Sequence, residues 1–197
     1  LVILPDGSVM FNYGDHGLFK VDSCGKIVWT FPDAHHLITA TPRGTFWVAR
    51  LEKRDKNRIT IEAPYDDDFL VEINQLGEVL RQISFIDLLI ENHLYALLFS
   101  NGHPKVGNVH SDMVHINEIE ELNSEMAANF SLFLEGDIIV SSRNLNLVLV
   151  LDPETRLIKW YQIGPFLRQH DPDFQENGTI TIFNNNNRST GWNNSRT

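Results

Sequence analysis

Cysteine is almost absent. Cys24 is the only one in 197 residues, which excludes an internal disulfide framework and a multi-cysteine zinc site within this chain. Basic side chains are scarce: 16 Lys and Arg stand against 26 Asp and Glu, a net charge of −10. Nucleic acid and anionic membrane both need clustered cations, so neither is an expected partner. A long apolar run is missing as well. The best stretch, residues 86–99, is interrupted by Asp87, Glu91, Asn92 and His93. It falls short of the roughly 20 apolar residues of a membrane span. No initiator Met or leader opens the chain, and Leu1-Val2-Ile3-Leu4 reads as strand. The chain is therefore expected to be part of a longer protein, and the missing leader says nothing about location.

What is present supports a folded core. Hydrophobic residues make up 42% of the chain and charged ones 21%, too few charges for a disordered polyelectrolyte. The length prior gives one domain. Three segments repeat a pattern of apolar strand, polar turn and second apolar strand. They are Leu18–Trp29, Leu70–Leu80 and Leu147–Trp160. Asp22, Asn74 and Asp152 open their turns, where Asp and Asn bond their own backbone. Alternation after each turn marks an antiparallel hairpin.

A second hairpin precedes each of these. Leu1–Leu4 with Ser8–Asn12, Leu37–Ala40 with Thr45–Arg50, and His115–Leu122 with Asp137–Ser142 are three, and Phe174 with Thr179–Phe183 begins a fourth. Two hairpins make a four-stranded unit, and the units start near residues 1, 36, 115 and 170. Four-stranded sheets repeated every ~40–50 residues are the mark of an all-β, β-propeller fold. The expected architecture is one partial propeller domain over residues 1–197, about three and a half blades. An insertion at about 86–112 carries a short helix over Ile86–Leu98 and then a loop. Asp66-Asp67-Asp68 reads as a solvated hairpin loop, Trp29 and Trp160 as fillers between blades, and the Asn-rich tail from Asn184 as a loop or frayed end. Four glycosylation sequons, at Asn129, Asn177, Asn187 and Asn193, are expected by chance in so Asn-rich a chain.

The histidines carry the chemistry. His35 and His36 open the second unit, His115 the third and His170 the fourth. Equivalent blade positions face one central channel, so His36, His115 and His170 are expected to converge there. Each could simply bond backbone across the channel, but three imidazoles around one axis suit an anion or a metal. Arg143 follows the strand before it, in Ser141-Ser142-Arg143. If its planar fork turns back over the channel, it can grip a tetrahedral oxyanion. Asn117 lies two residues past His115, and strand alternation puts both on one face. Ser141-Ser142 lacks a nucleophile elbow, and Asp171-Pro172-Asp173 lacks calcium-loop spacing. His16, His93, His103 and His110 fall outside the register and read as surface or loop residues.

The order Asp112-Met-Val-His-Ile-Asn117, Ser141-Ser-Arg143, Ile158-Lys-Trp160, Gln169-His170-Asp171, Asn177-Gly178 and Ile182-Phe183-Asn184 resembles the arylsulfotransferase family. The match is close over about residues 112–185 and weaker back to residue 1. Leu37 stands where the family often has an acid, Asn184 replaces an Asp, and the 123–136 connector is long. The resemblance implies a six-bladed propeller outside the cytoplasm. It implies transfer of a sulfuryl group from an aryl sulfate donor to a phenol acceptor, with no cofactor and no metal. His170 then corresponds to the histidine that is transiently sulfated. His115 and Arg143 correspond to residues that hold the sulfuryl oxygens, and His36 to a further channel histidine. Asn117 and His35 correspond to substrate-binding neighbours. A homo-oligomer is compatible with all of this. Two other readings stay open: a non-catalytic propeller whose histidines are structural, and a metal hydrolase built on the histidine cluster.

Overall fold

A computed structural model describes residues 1–59, 61–100 and 112–186. The first four strands are β1 (Val2–Ile3), β2 (Val9–Asn12), β3 (Leu18–Val21) and β4 (Ile27–Phe31). They pair antiparallel in the order β1-β2-β3-β4. The next four are β5 (Ala34–Ala40), β6 (Phe46–Arg54), β7 (Tyr65–Ile73) and β8 (Val79–Ser84), in the order β5-β6-β7-β8. The third set is β9 (Ile116–Glu121), β10 (Ile138–Ser142), β11 (Leu147–Asp152) and β12 (Leu157–Ile163), again in sequential order. A hairpin of β13 (His170–Phe174) and β14 (Ile180–Phe183) follows. The described fold is all-β, built from blade-like antiparallel sheets.

The sequence explains the grading within each sheet. β10 and β11 are buried except at Asp152, and their only polar residues are Ser141, Ser142 and Asp152, as suits strands covered on both faces. The last strands, β4, β8 and β12, are largely exposed, although apolar residues such as Ile27, Val28 and Leu80 lie on them. Three apolar layers lie between successive sheets. Met10, Leu18, Phe46 and Val71 fill the first. Trp47, Leu70, Ile119 and Leu149 belong to the second. Phe133, Val148, Phe166 and Phe174 form the third. The first strands of consecutive sheets, β1, β5, β9 and β13, neighbour one another, so their starts share one region of space. Trp29 lies between blades, as expected: its indole N–H donates to Gln75 O at 3.1 Å. Trp160 packs against Phe133, in the third layer.

Three local expectations change. β6 and β7 each run nine residues, so Asp66, Asp67 and Asp68 lie in a strand rather than a solvated loop. Asp67 and Asp68 are each only 1% exposed. The helix expected over Ile86–Leu98 is two pieces: α1 (Phe85–Glu91), capped by the Ser84 hydroxyl, and a 3-10 turn at Tyr95–Phe99. His93, in a left-handed conformation at φ 60°, separates them. The loop expected after it, and most of the Asn-rich tail, lie outside the described residues. The tail's first residues are not frayed, for Asn184 Oδ1 accepts from Leu167 N at 3.0 Å. A second short helix, α2 (Ser124–Ala127), sits in the connector between β9 and β10.

Candidate active site

The starts of β5, β9 and β13 are irregular in the same way. Register shifts fall between His35 and Ile38, opposite Ile116–Glu118, and between His170 and Asp173. Each start also carries one left-handed residue: His36 at φ 60°, His115 at φ 54° and Asp171 at φ 43°. His and Asp enter this region more readily than most residues, and β-branched residues avoid it. The expected equivalence is therefore offset by one place. His36 and His115 are counterparts, but His170 takes the place of His35. Both are the last ladder residues before the shift, opposite Phe183 and Ala49.

His35, His36 and His115 form a hydrogen-bonded row. His35 Nδ1 is 2.8 Å from His36 Nδ1, and His36 Nε2 is 2.9 Å from His115 Nε2. Carboxylates close both ends. Asp68 Oδ1 is 2.8 Å from His35 Nε2, and Asp112 Oδ2 bonds His115 Nδ1. Asp68 is pinned in turn, because its Oδ2 accepts from Ile116 N at 2.9 Å. Burial, then the neighbouring His115, His35 and Arg143, push His36 down to about 4. His36 is thus neutral near pH 7. Burial alone would raise Asp112, but the His115 bond and the charges of His115, Arg143 and His35 hold it below the usual carboxylate range. A cavity of about 750 Å³ opens on the row, lined also by Arg50, Lys53 and Asp66.

Arg143 and His170 join from the neighbouring strands. The Arg143 N–H donates to His115 O at 2.9 Å, which ties the turn after β10 to the start of β9. Its charge reaches both histidine groups, lowering His36 and His170 alike. Burial first, then Arg143 and His115, depress His170 below the ordinary imidazole value. Asn185 Nδ2 lies 2.8 Å from His170 Nδ1 and also donates to Arg168 O, so the tail's first asparagines hold this ring. Burial and the nearby Arg168 lower the Arg143 guanidinium, with Asp112 acting the other way.

Asn117 does not share a face with His115 by simple alternation. His115 precedes the strand in a left-handed conformation, and Asn117 is the extra residue of the register shift. Its Nδ2 donates to Gln169 O at 2.8 Å, beneath His170, and its Oδ1 is buried without a partner. The Ser pair is structural. Ser142 Oγ donates to Val114 O, and Ser141 Oγ accepts from Gln169 Nε2. His16 is exposed and stacks on Tyr13, His93 is exposed, and His103 and His110 lie outside the described residues.

Two site residues escape the sequence reading. Asp68 was hidden in an acidic triplet, although Phe69-Leu70-Val71 directly after it marks a buried strand. Asp112 stands three residues before His115, and only the fold shows that it caps the ring. Among the described residues no group of three ligating side chains is arranged to hold a metal ion. The imidazole nitrogens face one another instead.

No helix among the described residues is long and apolar enough to cross a membrane. A search of curated proteins finds no match. The family profile described as arylsulfotransferase (ASST) matches residues 1–197. With His36, His115 and His170 at the neighbouring starts of blade-like sheets and Arg143 tied to His115 O from the turn after β10, the chain belongs to the arylsulfotransferase family.

Proposed function

We propose that this chain moves a sulfuryl group from a phenolic sulfate ester to a phenol through a sulfated His170. The observation that carries the reading is the meeting of a lowered His170 with the Arg143 cation beside the His35–His36–His115 row. A lowered imidazole is neutral near pH 7 and keeps a nucleophilic lone pair. It attacks sulfur, and the S–O bond to the aryl group breaks with its electron pair leaving on the phenolate. Sulfuryl transfer, like phosphoryl transfer, passes through a loose transition state, so positioning and charge do most of the work. Arg143, next to the histidine row, would stabilise the charge on the equatorial oxygens. In the second half the acceptor oxygen attacks sulfur and gives up its proton, the N–S bond breaks, and its pair returns to His170. That proton replaces the one the departing phenolate takes up, so the cycle balances.

The test is mass spectrometry of the full-length protein after incubation with 4-nitrophenyl sulfate alone. A sulfuryl mass on His170 is expected, and phenol release by His170→Asn should fall to background. Equal release by the variant and the native protein would refute the mechanism. No added mass with tight donor binding would favour a non-catalytic binding propeller.

A further inference from the structure

The row Asp68–His35–His36–His115–Asp112 has four links, and each needs one proton. The end links put protons on His35 Nε2 and His115 Nδ1 when the carboxylates accept. The two inner links join nitrogen to nitrogen, so each also holds one proton. Three neutral imidazoles supply only three protons. A complete row therefore holds one proton more than neutral rings and ionised carboxylates would carry, wherever along the row it rests.

We infer that Asp68 and Asp112 are positioning residues that turn the three histidines into a store for one exchangeable proton, lent to the departing phenolate and recovered from the attacking phenol. This rests on the sulfuryl-transfer reading above. In the first half-reaction the His36 Nε2–His115 Nε2 link opens and its proton passes to the phenolate oxygen, so the phenol leaves neutral while the three remaining links keep one proton each. In the second, the acceptor phenol loses its proton to the row as its oxygen attacks sulfur. Over the cycle the row is restored. Geometry places the donor end: His115 and His36 lie beside Arg143, while Asp68 anchors the far end at 1% exposure. Other charges facing the row are Arg50, Glu52, Lys53 and Asp66 along the cavity, and His170 beyond Arg143.

The row makes a sharp prediction for amide variants. In Asp68→Asn the amide oxygen keeps the bond from Ile116 N, so its N–H₂ must donate to His35 Nε2. All three rings then run one way, each neutral, towards Asp112. In Asp112→Asn they run the opposite way, towards Asp68. Either variant satisfies every link with one proton fewer. Because Asp112 is 43% exposed at its side chain, Asp112→Asn keeps the test available if the buried substitution fails to fold.

The experiment combines two readouts on the full-length protein. Imidazole ¹⁵N NMR at pH 7 should show one more N–H proton over the three rings of the native protein than three neutral imidazoles carry. It should show neutral rings in both variants, with the His35 proton on Nδ1 in Asp68→Asn and on Nε2 in Asp112→Asn. Single-turnover loading of His170 should fall only a few-fold with 4-nitrophenyl sulfate, whose phenolate needs little protonation. It should fall about a hundredfold with unsubstituted phenyl sulfate, as loss of general acid catalysis requires. Neutral rings in the native protein overturn the proton store. Native loading with equal slowing of both donors in the variants overturns the relay alone. No loading of the native protein overturns the sulfuryl reading and the catalytic role of the row with it.

Discussion

Arg143 and Arg168 are close enough that one lowers the other, a cost that a binding site for an anion turns to use. Two cations without an anion between them repel; a sulfate ester placed there relieves the repulsion and gains from both. Arg143 is the more telling of the two, because its backbone is tied to His115 O. A guanidinium presents two parallel N–H groups to two oxygens, and an ammonium presents a point charge. Arg143→Lys is therefore expected to keep the fold and slow His170 sulfation about a hundredfold, read as single-turnover loading. A loss of less than threefold would mean that the fork does not touch the sulfuryl oxygens. At this scale the sequence carried much of the site. His36, His115 and His170 stood out because they fall near unit starts, and Arg143 because it follows Ser141-Ser142 in the turn after a strand. Asp68 was not, since an Asp triplet looks the same in a solvated turn as in a buried strand. The apolar run after it hints at the strand, and its partners, His35 Nε2 and Ile116 N, distinguish the two.

At the scale of elements, the hairpins were legible because each turn announces itself with Asp, Asn or Gly between alternating apolar runs. Strand ends were less so. β6 and β7 reach Arg54 and Tyr65 through Glu52, Lys53, Asp66 and Asp67, a charged stretch that propensity assigns to a loop. Lys53 pairs opposite Asp66, Arg54 offsets the facing Glu52 and Asp67, and Asp67 is buried under the Ser84 hydroxyl; together these override propensity there. The hairpin that carries His170 depends on one tight approach. Gly178 sits in its turn at φ 74°, and a Cβ there would lie 2.3 Å from Asn129 O, just past α2. The carbonyl belongs to backbone and cannot swing away. Gly178→Ala thus combines left-handed strain with a steric clash, and a loss of about 2 kcal/mol or more is expected. Chemical denaturation of the two proteins checks it; a loss under about 0.5 kcal/mol would show that the β13–β14 turn is free to move away from the connector.

Taken as a whole, the molecule keeps several of its acids where water is scarce. Burial raises Asp67, Glu118 and Glu120 to about 7. Glu118 also faces Asp171 and Asp173 across the inner strands. Each of these folded-state values lies above the unfolded one. The stability they contribute is full below about pH 4 and is lost as pH rises towards 7. His36 opposes them. Its value falls from 6.5 to about 4, so its contribution is present above 6.5 and lost as pH falls through that window. Three raised carboxylates outweigh one lowered imidazole, and relief of a net charge of −10 acts in the same direction. Thermal stability is therefore expected to be greater at pH 5 than at pH 8. Glu118→Gln separates the terms. The amide oxygen can still accept from Thr39 Oγ1 and Ile119 N, while the buried charge is gone. It is expected to stabilise the protein by about 1–2 kcal/mol at pH 8 and by almost nothing at pH 5. Melting curves of both proteins at the two pH values decide the matter. An equal shift at each pH would assign the gain to packing, and a native Tm higher at pH 8 would mean that the lowered groups, not the buried acids, govern the fold's response to protons.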